Sequence, residues 1–546
     1  MNVSKIMTRD KRREITSSPK DVEKSLINPE LPPMESVMLH PTDKIIKPII
    51  GNKAIEVLIP TTFNKNKLPF QSWRIDKIKE LCKSNNMKLM ENYLLVIYSL
   101  MEQYFSKSKD VTEEENLLNV LNYFETIIQD KEIANNIINT SFISLLITIL
   151  KSSKSDAIKI RVCCIIAFLI RYSTVIETPL ENYGLCKILE GSIQSKNLEL
   201  ARKATSTIGE YLFFVATQAE GEEESTVNWT ITEENSATLL WAVDASRDDV
   251  VKFYATKAIE NITALTMISK KYFASNDSFI TKFIESYNST KNIELKTSII
   301  YTISHLIRLE PRLYRIFIEK KGLSEIKKNL EEESSKNQQA IINCILFGVK
   351  QDNSFFQKNE NFVNFCMFLM NLLESGVNVV IKMKIILIFG IILENTSVIS
   401  KFGEKLFLIL TKLRKDSLSE LHQIIKVFEA NMKLKIKTIT KGFVSLINSY
   451  FTNKPTSNFY EDIIQGFNAF NTIGLYPKLV PALFSIELLD ILIKILDIKD
   501  LMLDEVLRKN VYNILKSFSE NANSVQENSE YVLKKLVVPI VNSSLK

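Results

Sequence analysis

Six stretches of the chain share one form, and their spacing restricts the fold more than any other feature. They are IRVCCIIAFLI (160–170), ARKATSTIGEYL (201–212), FYATKAIENITAL (253–265), LKTSIIYTISHLI (295–307), QQAIINCILFGV (338–349) and IKMKIILIFGIIL (381–393). Each carries an apolar stripe of helical period, most with small side chains set inside it. Taking Cys163, Ala204, Ala258, Ser298, Ala340 and Lys384 as markers, successive intervals are 41, 54, 40, 42 and 44 residues. Armadillo and HEAT units repeat at about 40 to 47 residues. With only 13 glycines and 14 prolines in 546 residues, the tight turns of a strand-rich fold have few residues to make them. The expectation is an all-α armadillo/HEAT-type α-solenoid over residues 73–546.

The long interval contains AEGEEEST, 219–226, an acidic insertion of about the excess length, expected as a solvated loop between helices. Ahead of the repeats the pattern changes. Residues 1–38 are charged and polar without an apolar period and are expected to be disordered. In the next segment, 39–72, Pro41, Pro48, Pro60 and Pro69 rule out a long helix, yet Ile45, Ile46, Ile49, Ile50, Ile55, Val57, Leu58 and Ile59 are too apolar for a free linker. It is expected to lie extended along another surface, either the first repeats of this chain or a partner.

One helix carries an anomaly. RKATSTIGEYLFFVATQ, 202–218, puts Ile208, Tyr211, Leu212 and Val215 on one stripe and Gly209 with Glu210 at its centre, although an interior helical glycine costs about 1 kcal/mol relative to alanine. Something approaches the glycine closely. In stacked helical units Gly209, Ala204 and Ala258 allow near contact of neighbouring helices, while Glu210 is expected on an edge facing a binding groove. Asn261 and Asn343 stand where an armadillo groove uses asparagine to hold an extended peptide backbone, and are candidate protein-binding residues with it.

No catalytic set assembles. The chain has no GxGxxG after a strand, no GxxxxGK[ST], no GxSxG, no HExxH, and neither a kinase catalytic loop nor a DFG triplet. His40, His305 and His422 are the only histidines, and the six cysteines form no CxxC pair, so neither a catalytic histidine nor a zinc site is expected. No cofactor, metal or small-molecule substrate is expected. Cys163 and Cys164 fall in an apolar run and read as buried reduced thiols. The charged start and the lack of an apolar run of about 18 to 20 residues argue against a signal peptide or membrane helix. The reading is a soluble protein of a reducing, cytoplasmic compartment.

Charge marks one more surface. The interval 401–441 holds ten Lys and Arg against four Asp and Glu, a difference of +6, including Lys433, Lys435 and Lys437. Such a stretch suits an acidic polymer such as tubulin. Aromatic interleaving is poor there, which disfavours single-stranded nucleic acid.

HPTDKIIKPIIGNKAIE (40–56), LPF (68–70), the 202–218 helix and VNWTITEENSATLLWAVDASRDDVVKFYATKAIENITA (227–264) together resemble the region C-terminal to the kinase in the Fused-related kinases of the Unc-51-like kinase 4 and RUNKEL family. The likeness covers about 40–265 and is generic armadillo similarity beyond. It implies a non-catalytic armadillo scaffold that is microtubule-associated, linked in that family to the cilium, the axonemal central apparatus or ciliary tip, and cell division. None of the kinase motifs is present, so a Fused-type kinase is expected as a separate partner alongside tubulin or axonemal proteins. The competing reading is a peptide-groove adaptor of nuclear-transport type, which needs a regular ladder of groove asparagine and tryptophan; Trp73, Trp229 and Trp241 do not recur at the repeat period.

Overall fold

The computed structural model of the protein describes residues 55, 61–83, 87–107, 110–220, 229–244, 246–265, 270–310, 312–320, 322, 335–358, 362–416, 419–452, 459–496 and 504–521. The expected disordered start (1–38), residues 39–54 and 56–60 of the extended segment, and 221–226 of the acidic insertion lie outside them. Every regular element among the described residues is helical, and the fold is all-α. The helices fall into two compact units, 44–330 and 331–546.

The first unit contains α1 (Ile75–Lys83), α2 (Met87–Ser106), α3 (Val111–Ile127), α4 (Lys131–Ile138), α5 (Ser141–Ser152), α6 (Asp156–Tyr172), α7 (Leu185–Ile193), α8 (Leu198–Glu220), α9 (Glu233–Ala242), α10 (Asp249–Thr263), α11 (Ser278–Ser289), α12 (Ile293–Leu309) and α13 (Arg312–Glu319). Helices α3, α6, α8, α10 and α12 pack one on the next as a row, and the remaining helices of the unit pack against members of the row.

The sequence explains the row. Ala204, Ala255 and Ala258 are fully buried where one helix meets another, because short side chains let axes approach. Threonines at the same contacts satisfy their hydroxyls on backbone carbonyls: Thr207 donates to Cys163 O at 3.0 Å and to Lys203 O at 2.8 Å, and Thr302 to Ser298 O at 2.8 Å. Helix starts are fixed by capping side chains. Asp110, Asp130, Asn197, Asp248 and Asn292 each accept from backbone N–H groups of the first turn of α3, α4, α8, α10 and α12. Two of these caps also tie neighbouring helices together: Asn197 Nδ2 donates to Asp156 at 2.9 Å, and Arg202 reaches both oxygens of Asp248 at 2.9 and 2.8 Å. Beside them the Thr290 hydroxyl donates to Asp249 at 3.0 Å.

The second unit contains α14 (Ser335–Gln351), α15 (Asn353–Lys358), α16 (Phe362–Glu374), α17 (Val379–Ile392), α18 (Thr396–Asp416), α19 (Ser419–Thr452), α20 (Phe459–Gly474), α21 (Val480–Leu483), α22 (Ile486–Leu496) and α23 (Glu505–Glu520). Here α14, α17 and α19 form one row, and α18, α20 and α23 a second. The run IILIFGIIL belongs to α17, whose residues 385–390 are all buried. All six cysteines are free thiols, and all but Cys82 are buried. His305 lies between α12 and α10, its Nδ1 3.2 Å from Glu260 O, and His422 Nε2 is 2.6 Å from Arg414 O.

Candidate protein-binding surface

The anomaly in α8 is resolved by a residue far upstream. A Cβ on Gly209 would lie 2.5 Å from Ile55 Cδ1 and 2.7 Å from Ala258 Cβ, closer than carbon atoms pack, so only glycine leaves room for Ile55 between α8 and α10. Ile55 is 2% exposed, and burial of such a side chain is worth about 1.5 to 3 kcal/mol. The next residue completes the seat: Ile55 N–H donates to Glu210 Oε1 at 3.2 Å, and Arg171 from α6 contacts the same oxygen at 3.2 Å. Glu210 is 3% exposed. Burial pushes its carboxyl above the ordinary value, while Arg171 and the Ile55 N–H pull it back.

A second seat repeats this chemistry nearer the chain start. The hydroxyl of Thr61 donates to Glu125 Oε1 on α3 at 2.9 Å, and Arg161 on α6 contacts both Thr61 and Glu125. Glu125, like Glu210, is a buried acid with an arginine beside it from the neighbouring helix of the row. Three residues further along, Asn119 grips one residue of the segment by its main chain alone. Asn64 N–H donates to Asn119 Oδ1 at 2.7 Å, and Asn119 Nδ2 donates to Asn64 O at 3.0 Å. Such a bidentate amide contact holds a backbone in extended form whatever side chain it carries. An open cleft of about 620 Å³ lies between residues 62–67 and Glu115, Leu118, Asn119 and Asn122.

The segment then ends in an aromatic anchor. Trp73 stacks on Tyr93 with ring centres 3.9 Å apart and planes 6° from parallel, and Phe63 and Phe70 meet Tyr123 edge-on at 5.1 and 5.5 Å. Tyr93 Oη donates to Gln71 O and Tyr123 Oη to Trp73 O, each at 3.0 Å, and Trp73 N–H lies 3.0 Å from both hydroxyls. Aromatic pairs contribute about 0.5 to 1.5 kcal/mol each beyond burial. Ile55 therefore sits on α8, Thr61 between α3 and α6, Asn64 on α3, and Trp73 on α2 and α3. The chain runs against the order of the helices.

The residues singled out in the sequence are placed as follows. Glu210 does not face an open edge; it is occupied by this chain's own Ile55, since a buried carboxylate needs donors. Asn261 on α10 is half-buried. Asn343 on α14 is half-buried and accepts from Lys384 of α17 at 2.5 Å, so its amide ties two helices of the row together. Lys435 is likewise engaged: its Nζ donates to Gly390 O at 2.8 Å and Ile391 O at 3.0 Å, satisfying carbonyls at the end of α17. Lys433 and Lys437 are exposed on α19. Asn119, Glu125, Arg161 and Arg171 were missed. Asn119 lies in a helix of ordinary pattern, ENLLNVLNYFE, 115–125, where asparagine is not distinguishable from a surface residue.

No protein-family model matches the chain. It is 23% identical over 418 residues to the serine/threonine-protein kinase RUNKEL of Arabidopsis thaliana, a match covering 72% of this chain and 29% of that protein. With the serine/threonine-protein kinase ULK4 of Mus musculus it shares 22% identity over 311 residues, 57% of this chain and 23% of that protein. The matches thus span less than a third of the curated relatives' length, and the chain resembles a region of these kinases without the kinase domain. Among solved structures, an engineered protein aligns with a TM-score of 0.48 at 14% identity over 77% of this chain and 98% of its own. A chain from a structure of Kap95p binding to RanGDP aligns with a TM-score of 0.46 at 12% identity over 81% of this chain and 57% of its own. A designed armadillo repeat protein in complex with the peptide (KR)4 gives 0.36 at 13% identity over 46% and 98%.

Proposed function

We propose that this chain is a non-catalytic scaffold of a microtubule-associated complex in the cytoskeleton, of ciliary or axonemal type, and that it partners a Fused-type kinase. The observation that carries the binding role is the α3, α6 and α8 face, which holds an extended segment by main-chain contacts at Asn119 and Glu210 and one side-chain notch at Gly209. The choice of a kinase partner is supported by the resemblance to a region of two serine/threonine kinases without the kinase domain.

The microtubule part is supported by the basic stretch of the second unit. Of its lysines, Lys435 is spent on α17, Lys405 on Asn371 at 2.9 Å and Lys412 on Glu374 at 3.6 Å. Lys433 and Lys437 are exposed one turn apart, and Lys441 continues their line one turn further. Co-sedimentation with microtubules across a salt series tests it. Binding at low salt that weakens as salt rises, and falls at least fivefold in Lys433→Glu/Lys437→Glu, is expected; no pelleting at low salt contradicts it.

The grip of Asn119 on Asn64 also suits the competing reading, a peptide-groove adaptor of nuclear-transport type. Recovery of basic cargo peptides and import receptors in place of kinase and tubulin would favour that reading.

A further inference from the structure

We propose that the contacts at Ile55, Thr61 and Asn64 are a displaceable occupant of the α3, α6 and α8 face, and that this face, once vacated, takes an extended segment of a second protein in the same direction. The proposal rests on the reading of this face as a protein-binding surface and adds to it a cis occupant and the chemistry of the trans one.

Four observations carry it. First, among the described residues the segment is held unequally: from Phe70 to Trp73 by aromatic packing and four backbone contacts to tyrosine hydroxyls, but at Ile55 by one notch and a single polar contact. An end held this way opens locally before the anchor does. Second, the face tolerates vacancy. Glu125 keeps Arg161 and Glu210 keeps Arg171, both from α6, so departure of the segment strands no buried charge without its counterion. Third, the segment leaves hydrogen-bonding capacity unused beside it: Asn122 Oδ1 and Arg161 Nε are buried without a partner, and Asn122 lines the open cleft. Fourth, recognition is largely of main chain. Asn119 reads only N–H and C=O of Asn64, and Glu210 only the N–H of Ile55.

These features define the partner. It is an extended chain with a branched aliphatic residue for the Gly209 notch, a hydroxyl six residues later for Glu125 and Arg161, and any non-proline residue three beyond that for Asn119.

A fluorescein-labelled peptide of residues 50–66, titrated by anisotropy into the full chain, tests this. The wild-type chain, closed by its own segment, is expected to bind it weakly, and Ile55→Asp at least tenfold more tightly. Adding Asn119→Ala to Ile55→Asp is expected to remove most of that gain. Thr61→Val, a milder release, gives the same comparison with about a threefold gain should Ile55→Asp fail to fold. Equal binding by the wild-type and released chains, tight or absent, overturns the proposal. Such a result would leave the kinase and microtubule assignment standing, since that is read by co-sedimentation and co-purification.

Discussion

Gly209 and Glu210 act together on one distant residue, the first by leaving space and the second by supplying an acceptor. Replacing an interior helical glycine by alanine ordinarily stabilises a helix by about 0.5 to 1 kcal/mol. Here the added methyl meets Ile55 and Ala258 below van der Waals distance, so Gly209→Ala is predicted to destabilise by about 1 to 3 kcal/mol. Its amide exchange signature should be loss of protection at Ile55 with α8 otherwise intact. A more stable variant contradicts the account of the notch. Glu210 gives a second prediction at this scale. Burial, only partly offset by Arg171 and the Ile55 N–H, raises its carboxyl above the ordinary 4.5. The native state then keeps a proton over a pH window in which the unfolded chain has released it, and stability falls as pH rises through that window. Glu210→Gln lacks this slope. Wild type minus variant stability should be highest below the ordinary glutamate range and fall as pH rises through the folded value; a pH-independent difference between the two refutes the burial argument. The sequence exposed the anomaly but not its cause. Ile55 and Glu210 lie 155 residues apart, and the pattern of one helix says nothing of a segment arriving from elsewhere. A charged residue on a packed helix reads as an edge because buried acids are rare.

The helices themselves were legible because their period is local. Apolar residues three and four apart set the buried stripes, while the Asp, Asn and Thr residues that start the helices drew no notice in the sequence. Less legible was the double duty of the caps. Asp248 accepts from Val250 N–H at 3.1 Å at the start of α10 while it holds Arg202 of α8, and that ion pair keeps its carboxyl below the usual range. Loss of a cap costs about 1 kcal/mol, and a partly exposed ion pair adds less than that. Asp248→Ala is therefore predicted to lower stability by about 1 to 2 kcal/mol, read as a shift in urea midpoint at unchanged m-value; a shift below about 0.3 kcal/mol would mean that α8 and α10 are not coupled here. Lys435 shows the converse error. In a row of lysines on α19 it looks like its neighbours, yet its position opposite the end of α17 turns it into a cap, a role set by tertiary placement rather than by composition.

At the scale of the molecule, the repeat interval specified the architecture, since the stripes spaced about 40 residues apart became the helices that stack on one another in each unit. The occupied face was only half visible. Its tenant reads as an apolar segment in need of a surface, and of the candidates Glu210, Asn261 and Asn343 only Glu210 belongs to the face that holds it, whereas Asn119 and Glu125 carry no mark in the sequence. The reason is physical: a groove residue differs from a solvated one only by what lies across from it. The proposed assembly of a kinase with microtubules by this chain is tested most directly by cross-linking mass spectrometry on the tagged full chain isolated from its own cells. The account predicts a Fused-type kinase and tubulin or axonemal proteins, with kinase cross-links falling near α3, α6 and α8. Import receptors and nuclear cargo in their place would contradict it.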